Sequence, residues 1–287
     1  GRTDYRLMEQ TKPKESKLAI VKWAADGALQ QINKLVDEKT LILPPNYAVG
    51  NAIQDAQLIL ADKPDIIDGC TKESIYLSIK NMAQVGLSPS KTKQQCYFVK
   101  YGNQCTLMIS YFGYVAIAKR VDPTIEDIPA HPIKKGEEFD FEIQPDGYYK
   151  ILKHKPTLDS MAAKEDDCIG AYATIIYNDG KPPKSLVMSW EEIKAAWSKS
   201  PVKPIDENGK LKKSATHWLF FNDMVKKTVI AKITKPIVNT ADDSYLFVQT
   251  FKAIELGSET AKADAAIEQA DANTGEIIDA DYEIAEE

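Results

Sequence analysis

The residues able to do acid–base, nucleophilic or metal chemistry are few, and their spacing does not suit it. The three histidines, His131, His154 and His217, show no HExxH pattern and no metal-ligand spacing. The cysteines, Cys70, Cys96, Cys105 and Cys168, include no CxxC pair, so they read as reduced, idle thiols rather than a zinc site or a disulfide framework. There is no GxxxxGK[ST] loop to cradle the phosphates of ATP, and no GxSxG. Adjacent carboxylates stand at Glu137-Glu138 and Asp166-Asp167. Neighbours on a strand point to opposite faces, so neither pair shares a metal, and both read as solvated turn residues. A metal-dependent nuclease finds no support in this pattern. No cofactor is expected.

What the sequence does concentrate is charge. The 287 residues carry a formal −6, yet residues 74–121 hold no Asp or Glu and six Lys or Arg. Residues 210–235 hold seven Lys and one acid, Asp223. Residues 255–287 take eleven of the 42 acids and one of the 36 basic residues, which leaves 35 basic against 31 acidic side chains in the first 254. A mildly basic body thus precedes an acidic tail. Two regions with one acid against thirteen basic residues imply a surface of one sign, as a phosphate backbone requires. The tail (255–287) is poor in large apolar residues and is expected to be disordered, as a solubility device or as a segment that competes for the basic body. The expected organisation is a flexible N-terminus (1–15), one domain (16–254) and that tail.

The elements that must position these cations follow from periodicity. Apolar residues at helical spacing predict a helix over 16–36 with Ser16 as N-cap, a second up to Ala61 capped by Asn46, and a third from near Thr71 to Val85, closed by Gly86. The period then changes to two. Cys96 and Phe98 face Ile109 and Leu107 across a Gly102-Asn103 turn, which predicts a β-hairpin with one core face. Its other face carries Gln95, Tyr97, Tyr101, Gln104 and Ser110. "YFGYVAIAKRV" returns to helical period. Residues 125–188 read mainly as strands, Ser189 and Glu192 make a capping box for a helix through Trp197, and a last helix runs over 215–235 to Pro236. The fold class is α+β, a short antiparallel sheet and hairpins flanked by helices. No apolar run approaches the length of a membrane span.

On this layout Lys91, Lys93, Lys100, Lys119 and Arg120 form one wall of a groove, and Lys212, Lys213, Lys226, Lys227 and Lys232 the other. Tyr101, Tyr111 and Trp218, with Tyr97 and Tyr114, are the candidate stacking faces for single-stranded bases.

"VGLSPSKTKQQCYFVKYGNQCTLMISYFGYVAIAKR" resembles the signature of the RecT family of single-strand annealing proteins, through Gly86, Leu87, Pro89, Tyr97, Tyr101, Gly102, Tyr111, Gly113, Ala118 and Arg120. "AHPIKKGEEFDF" and "KHKP" resemble its strand pair and turn. "THWLFFNDMVKKTVIAKITK" resembles its last helix through Met224, Lys226, Lys227, Thr228 and Ile230. The likeness covers about residues 20–250. The sequence departs at Lys100 (usually Pro), Ser110 (usually Gly) and Ala231-Lys232 (usually paired Arg). The resemblance implies a phage or prophage recombinase in the bacterial cytoplasm that binds single-stranded DNA and anneals complementary strands without ATP. It further implies a homo-oligomeric ring or helical filament, working beside a 5′→3′ exonuclease and the host single-strand-binding protein. The alternative is a passive single-stranded DNA- or RNA-binding module.

Overall fold

The computed structural model of the protein describes residues 16–200 and 202–259. The segment 1–15 and the tail from 260 onward lie outside the described residues. No helix among those described is long and apolar enough to cross a membrane.

Four helices open the fold: α1 (Lys17–Asp37), α2 (Val49–Ala61), α3 (Pro64–Gly69) and α4 (Lys72–Gln84). Ser16 caps α1 as expected, its hydroxyl accepting from the Ala19 N–H at 3.2 Å. Asn46 does not cap α2, which starts at Val49 behind Ala48 with no side-chain cap. The short α3 has no apolar period long enough to announce it; Pro64 sits at its first position, where the missing N–H is harmless.

The hairpin is β1 (Cys96–Tyr101) and β2 (Gln104–Ile109), in the register expected from the alternation: Cys96 opposite Ile109, Phe98 opposite Leu107. Gly102 takes the positive φ (57°) that the two-residue turn demands. Two buried serines of α4 hold the hairpin's tip. The Ser74 hydroxyl accepts from the Cys105 N–H (2.9 Å), and the Ser78 hydroxyl donates to the Cys105 carbonyl (2.6 Å). Cys96, Phe98 and Leu107 are thereby pressed into the core, and the Tyr97–Tyr101 face is turned outward. Helix α5 (Tyr111–Val121) follows at once. Ser110, a departure from the family pattern, is its N-cap: its hydroxyl accepts from the Gly113 N–H (3.2 Å) and donates to the Gln94 carbonyl (2.6 Å). Gly113 packs so closely that a Cβ there would collide with the Gln95 carbonyl.

The larger sheet is antiparallel. It contains β3 (Ile125–Asp127), β4 (Ala130–Lys134), β5 (Glu138–Ile143), β6 (Tyr149–Lys155), β7 (Cys168–Tyr177) and β8 (Lys184–Ser189), in the order β3-β7-β8-β6-β5, with β4 also on β7. Helix α6 (Leu158–Ala162) lies between β6 and β7, and α7 (Trp190–Ser198) leaves β8 through the expected Ser189/Glu192 capping box.

The last predicted helix is corrected in two ways. It is broken at Phe220 into α8 (Thr216–Leu219) and α9 (Phe221–Asn239), and Pro236 lies inside α9 rather than ending it. The helix passes the proline at the loss of the N–H that would reach the Lys232 carbonyl. The Thr240 N–H and hydroxyl then close back on the Pro236 carbonyl at 3.1 and 2.8 Å. Finally α10 (Tyr245–Glu259) packs on α4 and β2 through Phe247, Phe251 and Ile254. Glu255, expected at the start of the tail, is 7 % exposed and part of the folded body. One hydrophobic core joins α1–α5, both sheets and α9–α10. The architecture is α+β.

The carboxylate pairs are also revised. Glu138 is solvent-exposed and pairs with Lys153 and Lys155, but the Glu137 side chain is only 2 % exposed. It takes hydrogen bonds from His154 (2.9 Å), from Ser160, and from the Lys134 N–H (2.8 Å). Burial works to raise its pKa, and these donors outweigh that and hold it below the usual carboxylate range. Glu137 therefore joins β4, β6 and α6 as structure.

Candidate nucleic-acid interface

A cleft of about 550 Å³ opens between the hairpin, α7 and α9. The outward face of the hairpin supplies Tyr97, Val99, Tyr101 and Met108; α7 supplies Ala195, Ala196 and Trp197; α9 supplies Met224, Thr228 and Ala231. Four lysines line it as well: Lys199, Lys227, Lys232 and Lys235. The alternation of β1 is the direct cause, since Tyr97, Val99 and Tyr101 must share the face opposite Phe98. The helical period of α9 does the rest, because positions 224, 227, 228, 231, 232 and 235 fall on one side of a 3.6-residue helix.

Lys227 bridges the two walls: its Nζ donates to the Tyr97 hydroxyl (2.9 Å) and lies 5.3 Å from the ring centre. No carboxylate among the described residues forms an ion pair with Lys227. The two acids of the cleft are both engaged. Glu192 accepts from the Ser189 N–H (2.8 Å) and hydroxyl (3.0 Å), and Glu255 pairs with Lys235 (2.7 Å) and accepts from the Tyr114 hydroxyl. At the back, Trp197 donates to the Thr228 hydroxyl (2.8 Å) and meets the His217 ring edge-on at 4.7 Å. Burial, and then the charge of Lys227, push His217 down to about 4, so it is neutral at physiological pH; its Nδ1 is buried without a hydrogen-bond partner among the described residues.

Of the fifteen residues singled out from the sequence, Tyr97, Tyr101, Tyr114, Lys227 and Lys232 line this cleft. The others lie elsewhere. Arg120 is only 8 % exposed, paired with Asp243 (3.2 Å), donating to the Ile42 carbonyl (2.7 Å) and lying 3.9 Å from the Phe247 ring centre. It fastens α5 to α10 and the loop after α1, outside the cleft lining. Lys100 shares the parity of Phe98, so it projects from the hairpin's other face onto Gly69 at the end of α3. Lys91 and Lys93 are exposed in the turn before β1, and Lys119 is exposed on α5, all outside the cleft lining. Tyr111 is half-buried with its ring 4.0 Å from that of Phe112. Lys226 lies outside the cleft lining, 3.9 Å from Asp223; burial, then His154 and the charge of Lys226, lower the pKa of His131. Lys212 and Lys213 are exposed in the loop before α8; Trp218 is half-buried, with Lys164 at 4.8 Å and Lys213 at 5.9 Å from its ring centre. The expected residues are thus not brought together as two lysine walls of this cleft. One wall is the aromatic face of the hairpin, and the lysines come from α9 and the end of α7.

Of the residues missed, Val99 and Met108 share the outward parity of Tyr97 and are legible from the hairpin's alternation, whereas Ala195, Ala196, Trp197 and Lys199 carry no local signal. Their place depends on how α7 docks against the hairpin. Burial pushes the Cys105 thiol up to about 12 and that of Cys168 up to about 11, so neither is a thiolate at neutral pH. No group of three or more His, Cys, Asp or Glu among the described residues is arranged to hold a metal ion.

Fold and cleft define an α+β protein whose open side combines aromatic faces with lysines. A family model described as the RecT family matches residues 50–267, more than half of the 287. The chain belongs to the RecT family, whose members anneal single-stranded DNA in recombination. No curated protein matches the sequence.

Proposed function

We propose that the cleft between hairpin, α7 and α9 is where single-stranded DNA is held for annealing, without ATP or metal. The observation that carries the reading is the opposition of Tyr97 and Tyr101 to Lys227 and Lys232 across one open cleft. Base–aromatic stacking contributes about 1–3 kcal/mol per base whatever the base. Lysine–phosphate contacts add affinity without sequence information. A strand held this way keeps its pairing edges exposed. New base steps, each worth about 1–2 kcal/mol, then drive annealing. One cleft covers few nucleotides, so a continuous track needs subunits side by side, in a ring or helical filament. A 5′→3′ exonuclease would supply the strand and the host single-strand-binding protein would deliver it, in the bacterial cytoplasm.

The test is the annealing rate of two complementary labelled oligonucleotides in EDTA, without nucleotide. The protein should accelerate it, and Lys227→Ala/Lys232→Ala should abolish most of the gain. Binding without acceleration would identify a passive single-strand binder.

A further inference from the structure

The cleft has a second candidate occupant within the same chain. Helix α10 ends at Glu259, and Glu255, one turn earlier, lines the cleft and pairs with Lys235 of α9. A helix advances about 6 Å over those four residues, so the chain leaves the folded body beside the cleft. The remainder of the chain is strongly acidic: residues 260–287 hold nine acids and one lysine. Their distal part, "GEIIDADYEIAEE" (275–287), alternates. In an extended chain Ile278, Ala280, Tyr282 and Ile284 fall on one side and Asp279, Asp281 and Glu283 on the other. That pattern complements the cleft on both counts, with an apolar edge for the Tyr97, Val99 and Met108 floor and carboxylates for Lys227 and Lys232.

Reach is sufficient. Ile277 lies eighteen residues beyond Glu259, and a coil of that length spans about 23 Å. Tethering at such a distance gives an effective concentration in the millimolar range, so even a weak contact occupies the site.

We propose that residues 275–287 dock in the cleft of their own subunit and must be displaced by single-stranded DNA, so that the tail sets a threshold of DNA affinity for loading. The proposal rests on the cleft being the DNA site. Carboxylates and an aromatic ring stand in for phosphates and a base, and the contact weakens with salt as DNA binding does.

The full chain is treated with a zero-length carbodiimide that joins carboxylates to amines, and adducts are mapped by mass spectrometry. The expected result is amide links from Asp279, Asp281 or Glu283 to Lys227 or Lys232, lost when a poly-dT oligonucleotide is added. Mixing isotopically heavy and light chains should give only same-chain adducts; heavy–light adducts would place the tail on a second copy and overturn the proposal. Absence of adducts, with the oligonucleotide still protecting Lys227 and Lys232 from acetylation, would overturn the tail docking and leave the DNA site standing. Adducts that persist at saturating oligonucleotide would instead overturn the DNA site. In parallel, Asp279→Asn/Asp281→Asn/Glu283→Gln in the full chain should tighten oligonucleotide binding about three- to tenfold at low salt, the advantage vanishing at high salt. Unchanged affinity at low salt would contradict displacement.

Discussion

Arg120 at the end of α5 and Lys227 in the middle of α9 are both cations beside aromatic rings, in opposite circumstances. Arg120 is enclosed, with Asp243, two backbone carbonyls and the face of Phe247 as partners. Lys227 lies at an open cleft, where among the described residues its hydrogen-bond partner is the Tyr97 hydroxyl. The first holds helices together; the second leaves charge for a ligand. Local charge density does not distinguish them, because what matters is whether an acid from a distant segment arrives beside the cation. Asp243 does so for Arg120, across 123 residues of sequence.

The contrast breaks most sharply at Arg120. Arg120→Ala leaves Asp243 unpaired at low exposure and two carbonyls without donors. We expect a loss of about 3–5 kcal/mol in chemical denaturation, with oligonucleotide affinity per folded molecule unchanged. A stable variant that binds DNA poorly would move Arg120 to the interface.

Next is the pH dependence of the cleft's rear wall. The folded state holds His217 near 4, below its ordinary 6.5, so the unfolded chain takes up the proton first. Stability is therefore whole above about pH 6.5 and declines as pH falls toward 4, by up to about 3 kcal/mol. Urea unfolding at pH 7 and pH 4.5 measures the drop, and His217→Gln should flatten it. An unchanged slope in that variant would assign the acid sensitivity to another group.

For the open cleft, Lys227→Ala/Lys232→Ala should leave the unfolding midpoint within about 0.5 kcal/mol of the parent. The same variant should weaken binding about tenfold for unrelated sequences and reduce the salt slope by about 1.4, the single-strand value for two phosphates. Sequence-selective loss would contradict contacts to the backbone. The smallest effect sharpens the comparison within one hairpin. Lys100→Ala, on the opposite face from Tyr97, should change affinity less than twofold, as one exposed cation outside the cleft.

These contrasts also show how far the sequence is legible. The hairpin's register and the capping box of α7 follow from alternation and cap chemistry, which act over a few residues. Tyr101 reaches the cleft by the same parity that sends Lys100 away, a consequence that a count of cations in residues 74–121 does not include. The places of Arg120, Lys226 and Glu137 are not legible, because their partners or neighbours, Asp243, Asp223 with His131, and His154, depend on tertiary packing or helix rotation. Trp197 and Lys199 reach the cleft only through the docking of α7, and Glu255 joins the body because α10 runs past the last strongly apolar stretch.

The central claim is that bases lie against the hairpin's aromatic face, and photo-cross-linking tests it most directly. Oligonucleotides carrying 5-iodouracil are irradiated on the full-length protein and the adducts mapped to peptides. The account predicts adducts at Tyr97, Tyr101 or Trp197, diminished by Lys227→Ala/Lys232→Ala. Adducts confined to Tyr111, Phe112 or Trp218, with the cleft unlabelled, would contradict it.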